Sequence, residues 1–233
     1  MSIIIGMLAK NCALVASDGR IISGAKYENG IVTQKSHVTS DEFNKTFTLK
    51  NDSIIGVVAG TMEFQGKSIS EHIDEILNET CEGEINTFEE LLDFISDGLK
   101  FKMQNISETE ISFQFRIINL ILIGYKEKKL SDLSMHAFSF SPNLGTKYIE
   151  CSKKIVEPVK NNLAQWELFG DVSSQKAVND FLYERISILK KKTEAKLRSI
   201  SKNAIELGIK KSTKSASGDH LTCGGKVYIK SIK

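Results

Sequence analysis

Ser2 stands directly behind Met1 at the head of the stretch "MSIIIGMLAKNCALVASDGR". A serine hydroxyl is a weak nucleophile until a base takes its proton. Removal of Met1 would leave one residue carrying both parts, the hydroxyl and a free α-amine. The unperturbed pKa of such an amine, about 7.7–8.0, suits a general base at neutral pH. Serine is small enough for ordinary methionine aminopeptidase to act ahead of it, so no self-cleaved propeptide is expected. The chemistry this pattern would support is acyl transfer through a serine ester. The ordinary alternative is that a small residue after methionine is common and carries no role.

Other chemistry-bearing residues are dispersed. Cys12, Cys81, Cys151 and Cys223 are far apart and form no C-x-x-C pair, so neither a zinc site nor a disulfide framework is expected. His37, His72, His136 and His220 show no metal-ligand spacing and read as structural or surface residues. No cofactor is expected. Cys12 sits in an apolar run and reads as a buried residue rather than a reactive one.

The chain has 233 residues, 41% apolar and 26% charged, as expected of one soluble domain spanning 1–233 with a core large enough to need no staples. With no signal-like segment and no apolar run of membrane length, the expectation is a cytoplasmic protein with reduced thiols and no membrane partner. The net charge of +2 conceals an asymmetry. Residues 41–110 hold sixteen Asp/Glu against five Lys/Arg, and residues 185–233 hold thirteen Lys/Arg against three Asp/Glu. Such a split suits complementary surfaces in an oligomer or a basic face for nucleic acid; the ordinary reading is solvated faces of opposite sign. The basic segment has no interleaved aromatic beyond Tyr228, so a nucleic-acid partner is not expected.

The elements that must position Ser2 follow from periodicity. Ser2–Leu8 and Cys12–Ser17 read as a hairpin turning at Lys10-Asn11. Residues 21–44 are polar and read as a loop or extended excursion. Lys45–Lys50 and Ser53–Ala59 read as strands, the second ending at Gly60-Thr61. A helix carries Ile69, Ile73, Ile76 and Leu77 at helical spacing. A second opens on the capping box Thr87–Glu90 and buries a stripe of Leu91, Leu92, Phe94, Ile95 and Leu99. Ile117–Tyr125, Ser134–Ser141, Thr146–Cys151 and Trp166–Phe169 read as strands. A third helix carries Ala177, Val178, Phe181, Leu182 and Ile186. A fourth carries Leu197, Ile200, Ala204, Ile205 and Leu207, with Gly208 as its stop. Lys210–Ser217 reads as a loop and Gly225–Ile232 as a last strand. Strand runs and helix runs are segregated, which predicts packed layers rather than βαβ units. The order suits an α+β, four-layer αββα sandwich: two sheets face to face, with an acidic helix pair on one outer face and a basic pair on the other.

The whole chain, most specifically residues 2–61, resembles the proteasome β-type subunits and their bacterial HslV-like relatives, of the N-terminal-nucleophile (Ntn) hydrolase superfamily. Ser2 stands where the family has its nucleophile, usually Thr. Asp18 and Arg20 in "ASDGR" match the family's SD-x-R stretch. Lys45 in "NKTFTLK" matches the active-site lysine, and Gly60 in "VVAGT" the glycine whose amide serves the oxyanion hole. "DHLTCGG" is similar to the late D-x-x-S-G-G motif, with Asp219 and Thr222 in supporting positions. The resemblance implies that Lys45 disfavours protonation of the amine and polarises the hydroxyl, while Asp18 keeps Lys45 charged and oriented. Gly60, read as lying at a strand-to-helix junction, would meet the oxyanion near a helix dipole.

Taken singly, each residue has a plainer reading: Asp18 a turn residue before Gly19, Lys45 a strand-end lysine, Asp219 and Thr222 turn or capping residues. The chain departs from the family in Ser for Thr, in a longer excursion between Asp18 and Lys45, in Asp171 where the family has a Ser, and in Cys223 before Gly224-Gly225. At Asp171 a carboxylate could bond the terminal amine. Arg20, Ile22, Phe47 and Val58 would line an apolar substrate pocket by resemblance. The implied activity is peptide hydrolysis through an acyl-enzyme. The implied partners are a peptide or unfolded protein substrate, further copies in a homo-oligomeric ring, and an AAA+ unfoldase. The alternatives are an inactive ring scaffold, and an Ntn amidase or transpeptidase.

Overall fold

The two opening strands, β1 (Ile4–Ala9) and β2 (Cys12–Ser17), are buried along their whole length, which is why they read as unbroken apolar runs. The computed structural model describes residues 2–9, 12–23, 26–28, 31–50, 52–79, 87–106, 117–126, 133–143, 148–157, 164–187, 193–214 and 220–232. After β2 come β3 (Ile21–Ser23), β4 (Lys26–Glu28), β5 (Ile31–Gln34), β6 (His37–Ser40), β7 (Thr46–Leu49), β8 (Ile54–Gly60), β9 (Glu63–Phe64) and β10 (Lys67–Ser68). Helices α1 (Ile69–Asn78) and α2 (Phe88–Gln104) follow, then β11 (Ile118–Tyr125), β12 (Leu133–Pro142), β13 (Ile149–Val156) and β14 (Gln165–Phe169). The chain closes with α3 (Val172–Ser187), α4 (Glu194–Lys211) and β15 (Tyr228–Ile232).

Two antiparallel sheets carry the core, one in the order β14-β1-β2-β15 and one in the order β13-β12-β11-β8-β7. Period-two alternation sorts their side chains into separate apolar clusters. Ile4, Leu8, Ala13 and Val15 of the first sheet pack with Ile55, Val57, Ile121, Ile123 and Met135 of the second. The opposite face of the first sheet, through Ile5, Met7 and Leu14, packs with Val178 and Leu182 of α3 and Leu197 and Ile205 of α4. The opposite face of the second, through Val58, Leu120, Leu122 and Phe138, packs with Ile73 of α1 and Leu92, Ile95 and Leu99 of α2. Both N-termini on this side are closed by capping boxes, Ser68–Glu71 and Thr87–Glu90, each satisfying two backbone amides reciprocally.

Several local expectations are corrected. Among its described residues the 21–44 stretch, expected as a loop or extended excursion, is a ribbon of short strands paired as β3–β6 and β4–β5. Strand β13 runs to Val156, beyond the expected Cys151; it is an edge strand whose Ser152, Lys153, Lys154 and Ile155 are all exposed, so no apolar alternation marks it. Phe94 is exposed on α2, outside the buried stripe. Gly208 does not stop α4, which continues to Lys211. It is a packing residue, since a Cβ there would lie 2.2 Å from Ile3 Cδ1. The acidic helix pair is partly neutralised by lysines: Lys67 and Lys102 reach Glu75, Lys153 reaches Asp93 and Lys126 reaches Glu89. Among the described residues, no helix is long and apolar enough to cross a membrane.

Candidate active site

Asp18 follows β2 directly, and Lys45 immediately precedes β7. The two sheets bring them together although they are 27 positions apart in sequence. Lys45 Nζ donates to Asp18 Oδ1 at 2.7 Å, and both side chains are wholly shielded from solvent. The same oxygen accepts the Ile3 N–H at 3.0 Å. Asp18 therefore grips the peptide immediately beyond Ser2 and the Lys45 ammonium with one atom. Its second oxygen accepts the N–H groups of Gly224 at 3.0 Å and Arg20 at 3.4 Å. Four donors thus occupy the roughly four lone-pair positions of a carboxylate. Burial lowers the proton affinity of Lys45, and the Asp18 carboxylate opposes that shift. Asp18 is the close counter-ion of that buried ammonium, and its removal would leave the charge uncompensated. Ser2 itself is buried.

Gly60 ends β8 with φ +96°, a conformation that favours glycine, and a Cβ there would lie 1.7 Å from the Ile117 carbonyl oxygen. Val58, two residues earlier, donates its N–H to the Lys45 carbonyl at 3.2 Å, so Gly60 lies just past the backbone that carries Lys45. The expected strand-to-helix junction is absent. The β9–β10 hairpin intervenes, and α1 starts only at Ile69. A helix dipole acting directly at Gly60 is therefore not part of this site, although the Ile69 N–H returns to the Met62 carbonyl at 3.1 Å.

Asp171 and Thr222 form a second buried cluster. Gly170 approaches the Ser2 carbonyl so closely that a Cβ on it would lie 2.4 Å away, and Asp171 follows it. The Asp171 carbonyl accepts from Ser174 N and Gln175 N at 3.1 Å each, as a residue capping α3 does. Its Oδ1 accepts from Ser173 N at 3.0 Å and from the Ser173 hydroxyl, and its Oδ2 from Thr213 and Thr222 Oγ1 at 2.8 Å each. Burial alone would raise the Asp171 pKa, but these hydrogen bonds outweigh it and hold the group below its ordinary value. Between the two carboxylates lies Cys223, fully buried. Burial first, then the charges of Asp18 and Asp171, push its thiol up to about 12.

The remaining expected residues scatter. Phe47 and Val58 share the apolar cluster under α1 and α2. Ile22 is half-buried in β3, opposite Val38, and belongs to none of the three clusters. The Arg20 guanidinium is bound to Asp41 and the Leu221 carbonyl. Met1 and Asp219 lie outside the described residues. Asp41, Thr213, Ser173 and the Gly224 amide were not singled out by sequence. Only Asp41, close before Lys45, carried any hint, as an acid facing the SD-x-R arginine. Among the described residues, no group of three or more His, Cys, Asp or Glu is placed to hold a metal ion. A scan of protein-family models matches no part of the chain, and a search of curated proteins finds no similar sequence.

Proposed function

We propose that the chain is a proteasome-like peptidase of the Ntn-hydrolase superfamily, with Ser2 as its nucleophile once Met1 is removed. One observation carries the reading. The Ile3 amide and the Lys45 ammonium converge on a single oxygen of Asp18, immediately beyond Ser2 and out of contact with water. Stacking of helices, sheet, sheet and helices in three apolar clusters supports the αββα architecture of that superfamily.

In the proposed reaction the freed α-amine takes the proton of Ser2 Oγ as the oxygen attacks a peptide carbonyl. The nearby Lys45 charge holds the amine unprotonated and stabilises the developing alkoxide. The Gly60 N–H meets the oxyanion. Collapse of the tetrahedral intermediate passes the proton to the leaving amine and leaves an ester on Ser2, which water then hydrolyses. Asp18 holds Lys45, and Asp171 with Thr222 braces the segment carrying Gly224 beside the first turn of α3. The substrate is a peptide or unfolded protein. The assembly is a homo-oligomeric ring, to which an AAA+ unfoldase would deliver substrate.

The intact mass before and after incubation with a peptide epoxyketone tests this. The expected result is loss of the Met1 mass and one covalent adduct, mapped to Ser2. Retention of Met1, or a free Ser2 that takes no adduct from a panel of epoxyketones and esters, overturns the reading in favour of an inactive scaffold.

A further inference from the structure

Arg20 lies two residues past Asp18, and three acceptors engage its guanidinium. Nε donates to Asp41 Oδ1 at 2.6 Å, Nη2 to Asp41 Oδ2 at 2.9 Å and Nη1 to the Leu221 carbonyl at 3.1 Å. The two bonds to Asp41 form a bidentate fork, a geometry that lysine cannot reproduce. Asp41 directly follows β6, at the base of the 21–44 ribbon. Leu221 belongs to the segment whose Gly224 amide holds Asp18 Oδ2.

The backbones around this fork approach without intervening side chains. A Cβ on Gly224 would lie 2.4 Å from the Arg20 guanidinium carbon, so the guanidinium rests on the Gly224 backbone. Gly225, at φ +76°, leaves room for the Asp41 carbonyl, which a Cβ would meet at 2.1 Å. That carbonyl accepts the Lys226 N–H at 2.8 Å, Gly19 N donates to the Gly224 carbonyl at 3.1 Å, and Phe43 N donates to the Gly19 carbonyl at 3.0 Å. Residues 18–20, 41–43 and 221–226 thus meet around one arginine.

We infer that Arg20 and Asp41 are a positioning pair: their fork holds the Arg20 and Gly224 amides against Asp18 and thereby ties the 21–44 ribbon to the catalytic centre. This rests on the peptidase reading above. Asp18 Oδ1 is shared by Ile3 and Lys45, so its direction depends on what holds Oδ2. Both amides on Oδ2 belong to segments that the fork fixes. Releasing the fork lets the 221–226 segment move, Oδ2 loses a donor and Oδ1 turns away from Lys45. Arg20 therefore acts through Asp18 and not as a wall of the substrate pocket. The charged and titratable groups that face Lys45 are Asp18 and Arg20 at the end of β2, Asp41 after β6 and Cys223 near the C-terminus. Asp18 is the principal group keeping Lys45 protonated, so a turned Asp18 lowers the proton affinity of Lys45 further.

The test uses the full chain with Asp41→Asn, Asp41→Glu and Arg20→Lys. The rate of Ser2 acylation by an activated peptide ester, with the phenol as leaving group, is followed from about pH 6 to about pH 10, alongside amide hydrogen exchange at Arg20 and Gly224. Asp41→Asn should slow acylation by about tenfold to a hundredfold, the scale expected of a small misplacement of catalytic groups. It should also move the alkaline limb of the profile to lower pH and quicken exchange at Gly224. Asp41→Glu should restore most of the rate and the original profile, and Arg20→Lys should fall between. Wild-type rate and profile in Asp41→Asn overturn the inference. So does a slower rate with an unshifted limb and unchanged Gly224 protection. If the wild type itself takes no adduct, the peptidase reading fails separately and exchange decides the clamp: faster exchange at Gly224 in Asp41→Asn supports it, and unchanged protection overturns it.

Discussion

Asp18 and Asp171 are both buried carboxylates beside the Ser2–Ile3 backbone, and each is surrounded by hydrogen-bond donors, but the donors differ in kind. Asp18 takes one full positive charge, from Lys45, and three backbone amides. Asp171 takes three hydroxyls and the backbone amides of Ser173 and Thr213, and it sits at the start of α3, where the helix dipole adds partial positive charge. Hydroxyls and a dipole stabilise a carboxylate without supplying a cation that could act on a neighbour. In the proposed site the difference gives Asp18–Lys45 an electrostatic part and Asp171 a bracing part, although both carboxylates are buried and each is adjacent to a glycine.

Lys45→Met is the severest way to break that contrast. It leaves Asp18 buried without its cation, at a cost of about 3–5 kcal/mol in urea unfolding. Ser2 acylation should fall by about 10²–10⁴-fold, the range of a lost acid–base group. An acylation rate near wild type in folded Lys45→Met would remove the functional half of the comparison.

Gly208→Ala probes the same side through packing. The new methyl would overlap Ile3 Cδ1, and overpacking of this kind costs about 1–3 kcal/mol. Because the Ile3 amide sits on Asp18 Oδ1, acylation should slow along with a fall in melting temperature. Thermal denaturation and adduct kinetics on one preparation would show whether the two move together.

Asp171→Asn should cost less, about 1–2 kcal/mol, since asparagine still caps α3 but offers Thr213 and Thr222 a poorer partner. The acylation rate should fall far less than in Lys45→Met. The folded-state pKa of Asp171 is depressed, so its contribution is complete above the unfolded value and disappears as pH falls through the folded one. The gap in melting temperature between wild type and Asp171→Asn should therefore be constant near neutrality and narrow below about pH 4.

The smallest effect is expected at Cys223, between the two carboxylates. With its thiol pushed up to about 12 and no exposed surface, it should resist alkylation at neutral pH in the native protein and react only on unfolding. Peptide mapping after brief treatment with iodoacetamide would check this.

Much of the scaffold was legible because it is local. Apolar runs at residues 2–17 and 53–59, the Thr87–Glu90 capping box and the helical spacing of Ile69, Ile73 and Ile76 each record which face is buried, and the structure carries elements there. The failures were local signals with long-range causes. Gly208 looked like a helix stop because nothing nearby reveals that Ile3 needs its space. The ribbon at 21–44 looked irregular because its strands satisfy each other rather than a core.

Ser2, Asp18, Lys45 and Gly60 came out of the sequence as a set only through the family resemblance, and the structure brings Asp18 and Lys45 together beside the Ser2–Ile3 peptide. Which donors fill each carboxylate was not readable. Gly224 reaches Asp18 across 206 positions and Thr222 reaches Asp171 across 51, and no periodicity links such pairs. Hydrophobic alternation tells each segment which side to bury, and so it determined the strands, the helices and the faces they present. Hydrogen-bond partners are selected only once those faces have packed, when each buried oxygen must find whatever donor the neighbouring segment brings. That step gave Arg20 to Asp41, Thr222 to Asp171 and Lys45 to Asp18.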